Sequence, residues 1–158
     1  MFSIGDKVVY PMHGAGVIEA IEEREVLGEK RHYYVMRLSV GNMRIMIPLT
    51  NVEEIGLRQI ANKEDINKII KILQEKKSSL SGNWHRRYRT NLDKMKSGDI
   101  FAVAEVVRNL VRRDQEKGLS TGEKKLLESA RQILISELVL LQDDRPEQVE
   151  DMLSDLFA

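Results

Sequence analysis

The hydrophobic period changes once along the chain, near residue 60, and that change limits the folds open to it. Before it, apolar side chains sit in short β-rich runs cut by Gly and Pro. Lys7 to Tyr10 is one such run and stops at Pro11; residues 11–16 read as a Gly-rich loop. Residues 17–27 and 31–39 pair as a hairpin about Gly28. Met43, Ile45 and Ile47 alternate with Arg44 and Met46, the period-two signature of a half-buried strand, and Pro48 ends it or places it on an edge. Four or five short strands in so few residues predict a small, strongly bent sheet or open barrel.

From residue 62 the period becomes helical. Ile66, Ile69, Ile70 and Leu73 form an i, i+3, i+4, i+7 stripe behind Asn62, a candidate N-cap. A flexible break at 78–83 precedes a helix over 84–96, and Ser97-Gly98-Asp99 closes it and caps a third over 100–117. Ser120-Thr121-Gly122-Glu123 matches a capping box, with hydroxyl and carboxylate satisfying orphan amides reciprocally. The helix it opens runs to about Gln142, and Pro146 starts a last one. The fold class is therefore α+β: a β domain over 1–57 and an all-helical domain of about five helices over 58–158.

Lys+Arg and Asp+Glu number 25 each, but they are unevenly spread. Residues 1–55 carry a net −2, residues 56–100 a net +6 and residues 101–158 a net −4. A positive middle between acidic flanks fits a local anionic partner such as nucleic acid, but on charge alone a solvated helix face is the better reading. The chain has no Cys, which excludes disulfides and a thiol nucleophile. His13, His32 and His85 are scattered, none with a second ligand at helical spacing, and no phosphate loop follows a strand. The sequence thus predicts no enzyme, no metal and no cofactor. No apolar run approaches the roughly 20 residues of a membrane span, and Met1 to Asp6 lacks a signal-peptide pattern. A soluble, cytoplasmic protein is expected, monomeric unless an edge strand pairs with a second copy.

The densest chemical signal is Asn83-Trp84-His85-Arg86-Arg87-Tyr88-Arg89, which holds the single Trp of the chain. On a helix Arg86 and Arg89 share one face, and Trp84, Arg87 and Tyr88 a neighbouring one. Arginines take phosphate bidentately, and a flat ring can wedge between bases. Lys94 and Lys96 extend the positive strip, and Lys124 and Lys125 open the later helix. The competing reading makes Trp84 a core anchor between helices.

The run Ile4-Gly5-Asp6-Lys7-Val8-Val9-Tyr10-Pro11-Met12-His13-Gly14-Ala15-Gly16 resembles the N-terminal signature of the CarD/CdnL family of bacterial transcription regulators. The likeness continues through Asn83 to Arg89, Gly98-Asp99, Ala104 to Leu110, Arg112 to Ser120, Gly122-Glu123-Lys124 and Ala130 to Leu134. It implies a Tudor-like (SH3-like) N-terminal domain that binds the RNA polymerase β subunit, a module shared with transcription-repair coupling factors. It implies a helical domain that contacts promoter DNA and stabilises the open complex of the housekeeping-sigma holoenzyme. Trp84 then matches the family's minor-groove wedge at the upstream edge of the −10 element. Arg86, Arg87 and Arg89 look like backbone contacts, and Lys124 matches a basic position of the later helix. On the polymerase side Arg24 matches a family Arg. Met46 stands where some members carry a second one, and Arg44, two residues earlier on the same side of a strand, is its candidate substitute. A reading of a different class is a protein-interaction adaptor of the transcription machinery that never touches DNA.

Overall fold

A computed structural model describes residues 1–76 and 83–158. Most of the break expected at 78–83 lies outside the described residues. The N-terminal half is one antiparallel sheet of β1 (Lys7–Tyr10), β2 (Gly14–Val26), β3 (Glu29–Leu38), β4 (Arg44–Pro48) and β5 (Arg58–Gln59). Their spatial order is β4-β3-β2-β1-β5. The expected hairpin is present as β2 and β3, closed by the two-residue turn Leu27-Gly28 between Val26 and Glu29. The division expected at 57/58 falls just ahead of β5, which pairs Val8 with Gln59 and Val9 with Arg58.

Two features bend this sheet. A bulge between Ile18 and Ala20 adds a residue to β2, which raises the local twist. Gly16 lets β3 approach closely: a Cβ there would stand 2.1 Å from the Arg37 carbonyl oxygen. The bend encloses Val8, Ile18, Tyr34, Met36, Ile47 and Leu57 as a core of their own. A 3-10 turn (Leu49–Asn51) and the short α1 (Val52–Ile55) complete it with Leu49, Val52 and Ile55.

Five helices follow: α2 (Asp65–Gln74), α3 (Trp84–Lys96), α4 (Ile100–Glu116), α5 (Thr121–Gln142) and α6 (Pro146–Leu156). Their core runs through Ile69, Leu73, Met95, Val103, Val107, Leu110, Leu134, Leu138, Val149 and Leu153. The capping signals resolve unevenly. Asp99 caps α4 through the Phe101 N–H, and Pro146 occupies the first turn of α6. Asn62 does not cap α2. That helix starts at Asp65, whose carboxylate instead accepts the Asn62 N–H at 2.9 Å. At α5 only half of the capping box forms. Ser120 accepts the Glu123 N–H at 3.2 Å, but the Glu123 carboxylate turns inward to Arg87, a stronger partner than a backbone amide.

The two cores are joined along α5 by polar contacts. The Ser136 hydroxyl accepts the Ala15 N–H at 2.8 Å, and Ser39 donates to the Ser136 carbonyl at 2.7 Å. Arg58 donates twice to Glu137, at 2.8 and 3.0 Å, and once to the Gly98 carbonyl. Ala61 N–H adds a third bond to the Glu137 carboxylate, which is only 2% exposed. Pro11 packs so closely on Gly98 (φ 73°) that a Cβ would lie 2.7 Å from the proline ring. These contacts fix how the sheet sits against the helices, and so where its outer face points relative to α3.

Candidate nucleic-acid and polymerase interfaces

The first site forms where the start of α3 meets the start of α5. Asn83 caps α3, its side-chain oxygen accepting the His85 and Arg86 N–H groups at 3.0 and 3.3 Å. That places Trp84 at the first helical position, beside solvent. The indole is not a core anchor: Trp84 is 39% exposed and outside both cores. One face stacks on Tyr88 with ring centroids 5.5 Å apart and planes 18° from parallel, and His85 meets it edge-on at 4.7 Å. Its Nε1–H donates to the Ser120 hydroxyl at 3.0 Å.

The three arginines of this run separate. Arg86 and Arg89 are exposed and, with Asn83, His85, Thr90 and Asp93, line an open groove along α3. Arg87 is 3% exposed and bonds Glu123 through Nε at 3.1 Å and Nη2 at 3.4 Å. Arg87 thus departs from the expected set of phosphate contacts. It shares the inward stripe of α3 with Asn91 and Met95, four and eight residues on, and its charge is spent inside the protein. Burial works to raise the Glu123 carboxyl, but the Arg87 hydrogen bonds and charge, helped by Ser120, outweigh it. They hold it below its ordinary value of 4.5. Lys124 and Lys125 are exposed in the first turn of α5. Lys94, expected in the positive strip, is ion-paired with Glu105.

The second site is the outer face of β2, β3 and β4. The register places Arg44 opposite Arg37, Met46 opposite Val35 and Arg24 opposite Arg31. Side chains alternate along a strand, so Arg24, Arg44 and Met46 all lie on this one face. Arg24 and Met46 lie on opposite sides of β3 and are offset by four of its residues, about 13 Å along the strand direction. Met46 is exposed. Each arginine here has a carboxylate beside it: Arg24 with Glu22 at 3.1 Å, Arg31 with Glu29 at 3.4 Å, and Arg37 and Arg44 sharing Glu19. Arg37, through its hydrogen bond and charge, and Arg44 hold the Glu19 carboxyl below its ordinary value of 4.5. Sequence reasoning missed Glu19, Arg31 and Arg37, which only the strand register brings to Arg24 and Arg44. It placed Tyr88 on the face of Trp84, where the two rings stack, but missed Ser120 as the partner of the indole N–H.

Comparison with known proteins places these sites in a family. Residues 2–61 match the CarD-like/TRCF RID domain and residues 68–154 the CarD C-terminal domain. A Bacillus subtilis (strain 168) protein, YdeB, named as a candidate transcription factor, is 45% identical over 150 residues. The match covers 95% of this chain and 98% of that protein. The chain belongs to the CarD-like transcription factor family. The N-terminal domain of Myxococcus xanthus CarD, solved by NMR, matches at 36% identity and a TM-score of 0.33, over 37% of this chain and 79% of that one. The N-terminal domain of Myxococcus xanthus CdnL matches at 44% identity and a TM-score of 0.33, over 38% and 84%. In this CarD-like chain Arg24, Arg44 and Met46 fall inside the RID match, and Trp84, Arg86, Arg89 and Lys124 inside the C-terminal match. Among the described residues no helix is long and apolar enough to cross a membrane, and no cluster of three or more His, Cys, Asp or Glu could hold a metal ion.

Proposed function

We propose that this CarD-like chain holds RNA polymerase with its sheet and promoter DNA with the α3–α5 corner, and so stabilises the open complex. The partner of the β domain, residues 1–57 extended by β5, is the β subunit of the housekeeping-sigma holoenzyme, met by Arg24, Arg44 and Met46. The partner of the helical domain is the upstream edge of the −10 element. Trp84 enters the minor groove there, while Arg86, Arg89 and Lys124 contact backbone phosphates. The observation that carries this reading is the state of Trp84: a large aromatic ring, 39% exposed, flanked by two exposed arginines and outside either core.

The energetics suit such a role. A wedge inserted at a partly unstacked step binds the opened form better than the closed one, and only differential affinity moves the equilibrium. A difference of about 1.4 kcal/mol is tenfold in population, enough for a regulator that performs no chemistry. Tethering through the sheet raises the local concentration of the helical domain at the promoter, so modest DNA affinity suffices. That accounts for a chain with a formal net charge of zero. Sequence selectivity is expected to be low, because the minor groove separates A·T from G·C and little else.

The test is the lifetime of open complexes formed by the cognate holoenzyme with no added protein, with wild type and with Trp84→Ala. Wild type should lengthen the lifetime and Trp84→Ala should not. A lengthening that survives Trp84→Ala removes the wedge, and no lengthening by wild type leaves the adaptor reading in its place.

A further inference from the structure

Trp84 is exposed, yet its one polar atom is spent on the protein rather than on water. Its Nε1–H, the single hydrogen-bond donor of the indole, points to the Ser120 hydroxyl. That hydroxyl is fully used. It accepts the Trp84 Nε1–H at 3.0 Å and the Glu123 N–H at 3.2 Å, and it lies 3.3 Å from Glu123 Oε1, to which it donates. Two lone pairs and one proton are all a serine hydroxyl has, so its rotor is fixed. Glu123 is fixed in turn by the buried Arg87. The chain of contacts therefore closes on itself: Trp84 and Arg87, three apart on α3, face Ser120 and Glu123, three apart at the start of α5. Stacking on Tyr88 sets the plane of the ring, and the Nε1 bond sets its rotation within that plane. Gly122 completes the arrangement. A Cβ there would lie 3.8 Å from Tyr88 Cε2 and 4.0 Å from Trp84 Cζ2, so any longer side chain would compete with the two rings for space.

We propose that the first turn of α5 is a seat that holds Trp84 in its inserting orientation before DNA arrives, with Ser120 as the positioning residue. The inference rests on the DNA reading above and deepens it. A ring already ordered in the free protein loses less rotamer freedom on insertion, and that saving is worth roughly three- to tenfold in affinity for the opened promoter. The same geometry explains why an indole suits the position better than a phenyl ring. Phenylalanine stacks on Tyr88 but has no N–H to anchor it.

The experiment uses the full chain and reads two quantities, time-resolved anisotropy of Trp84 and open-complex lifetime. Trp84 is the single Trp of the chain, so its emission needs no label in the free protein. Ser120→Gly removes the hydroxyl while keeping a residue that caps helices almost as well. Ser120→Thr keeps the hydroxyl. Ser120→Gly should give the ring a fast local component in its anisotropy decay and shorten the open-complex lifetime three- to tenfold toward that of Trp84→Ala. Ser120→Thr should restore both. If Ser120→Gly does not fold, Gly122→Leu, which keeps the cap and crowds the rings, should give the same two changes. Unchanged anisotropy in Ser120→Gly, or a freed ring with a wild-type lifetime, overturns the seat while Trp84→Ala still fails and the DNA reading stands. A wild-type lifetime for Trp84→Ala itself overturns the DNA reading, and the seat loses its purpose with it.

Discussion

The outer face of the sheet and the α3–α5 corner are both rich in arginine, but they treat their charges in opposite ways. On the sheet each arginine is exposed and already paired with a neighbouring glutamate: Arg24 with Glu22, Arg31 with Glu29, Arg37 and Arg44 with Glu19. At the corner one arginine, Arg87, is buried with its carboxylate, and among the described residues no salt bridge involves Arg86 or Arg89. A surface of mixed, self-paired charge suits another protein, where complementarity rather than bulk attraction selects the partner. A surface with bare guanidinium groups suits phosphate, where each contact also releases a counterion.

The sharpest way to break this comparison is to exchange the roles of the α3 arginines. Arg87→Ala leaves Glu123 buried without its partner and should cost about 3–5 kcal/mol of stability. Arg86→Ala and Arg89→Ala should stay within about 0.5 kcal/mol of wild type. Each should instead reduce the salt dependence of promoter binding by roughly 0.9 in the log–log slope. Urea denaturation and a salt titration separate the two effects. Equal stabilities for all three variants would mean that Arg87 is not committed to the interior.

The next largest effect concerns the joint between the regions. Glu137→Ala strips Arg58 and the Ala61 amide of their shared acceptor and should cost about 2–4 kcal/mol, discounted because Arg58 is partly solvated. It should also loosen the sheet from the helices, so limited proteolysis between residues 57 and 65 should speed up. Unchanged cleavage would show the two units to be held by other contacts.

A smaller, pH-dependent effect follows from Glu123. Its carboxyl titrates lower in the folded chain than its ordinary value of 4.5. The unfolded chain therefore takes up a proton first as pH falls. The stabilisation is complete above about pH 4.5 and is lost as the pH drops through the lower folded value. Thermal melts should be flat in this respect from pH 7 to 5 and fall below that. Glu123→Gln should be less stable at neutral pH and lose less on acidification. Parallel melting curves for the two proteins would remove this contribution.

The smallest structural effect belongs to the sheet. Arg24→Glu breaks a surface pair worth at most about 1 kcal/mol and should leave the fold intact. It places a fourth carboxylate among Glu22, Glu23 and Glu25 and should weaken polymerase binding at least several-fold. Arg31→Glu, directly opposite on β3, should act in the same direction. Wild-type binding by both variants would move the polymerase contact off this face.

Much of this was readable in the sequence because the signals were local. The change of period near residue 60 placed the sheet and the helices, and Gly28, Asp99, Ser120 and Pro146 marked turns and caps where the structure has them. The failures came where a polar residue acts over a long sequence distance. Arg87 lies on an inward stripe with Asn91 and Met95, but a stripe that opens with Arg and Asn carries no hydrophobic signal. Its partner Glu123 is 36 residues away and looked like a capping carboxylate. Asn62 looked like a cap, but Asp65 holds the turn. β5, two residues long, has no period to detect. The clustering of arginines about Trp84 is visible in the sequence, but which of them face solvent is set by packing against α5.

The central claim is that the Trp84 indole stands against bases at the melted upstream edge of the promoter. 2-Aminopurine placed at that edge of the −10 element reports it directly. In open complexes of the cognate holoenzyme, wild type should change the 2-aminopurine emission through ring contact, and folded Trp84→Ala should leave it as in complexes without the protein. Identical emission with wild type and Trp84→Ala would contradict the account.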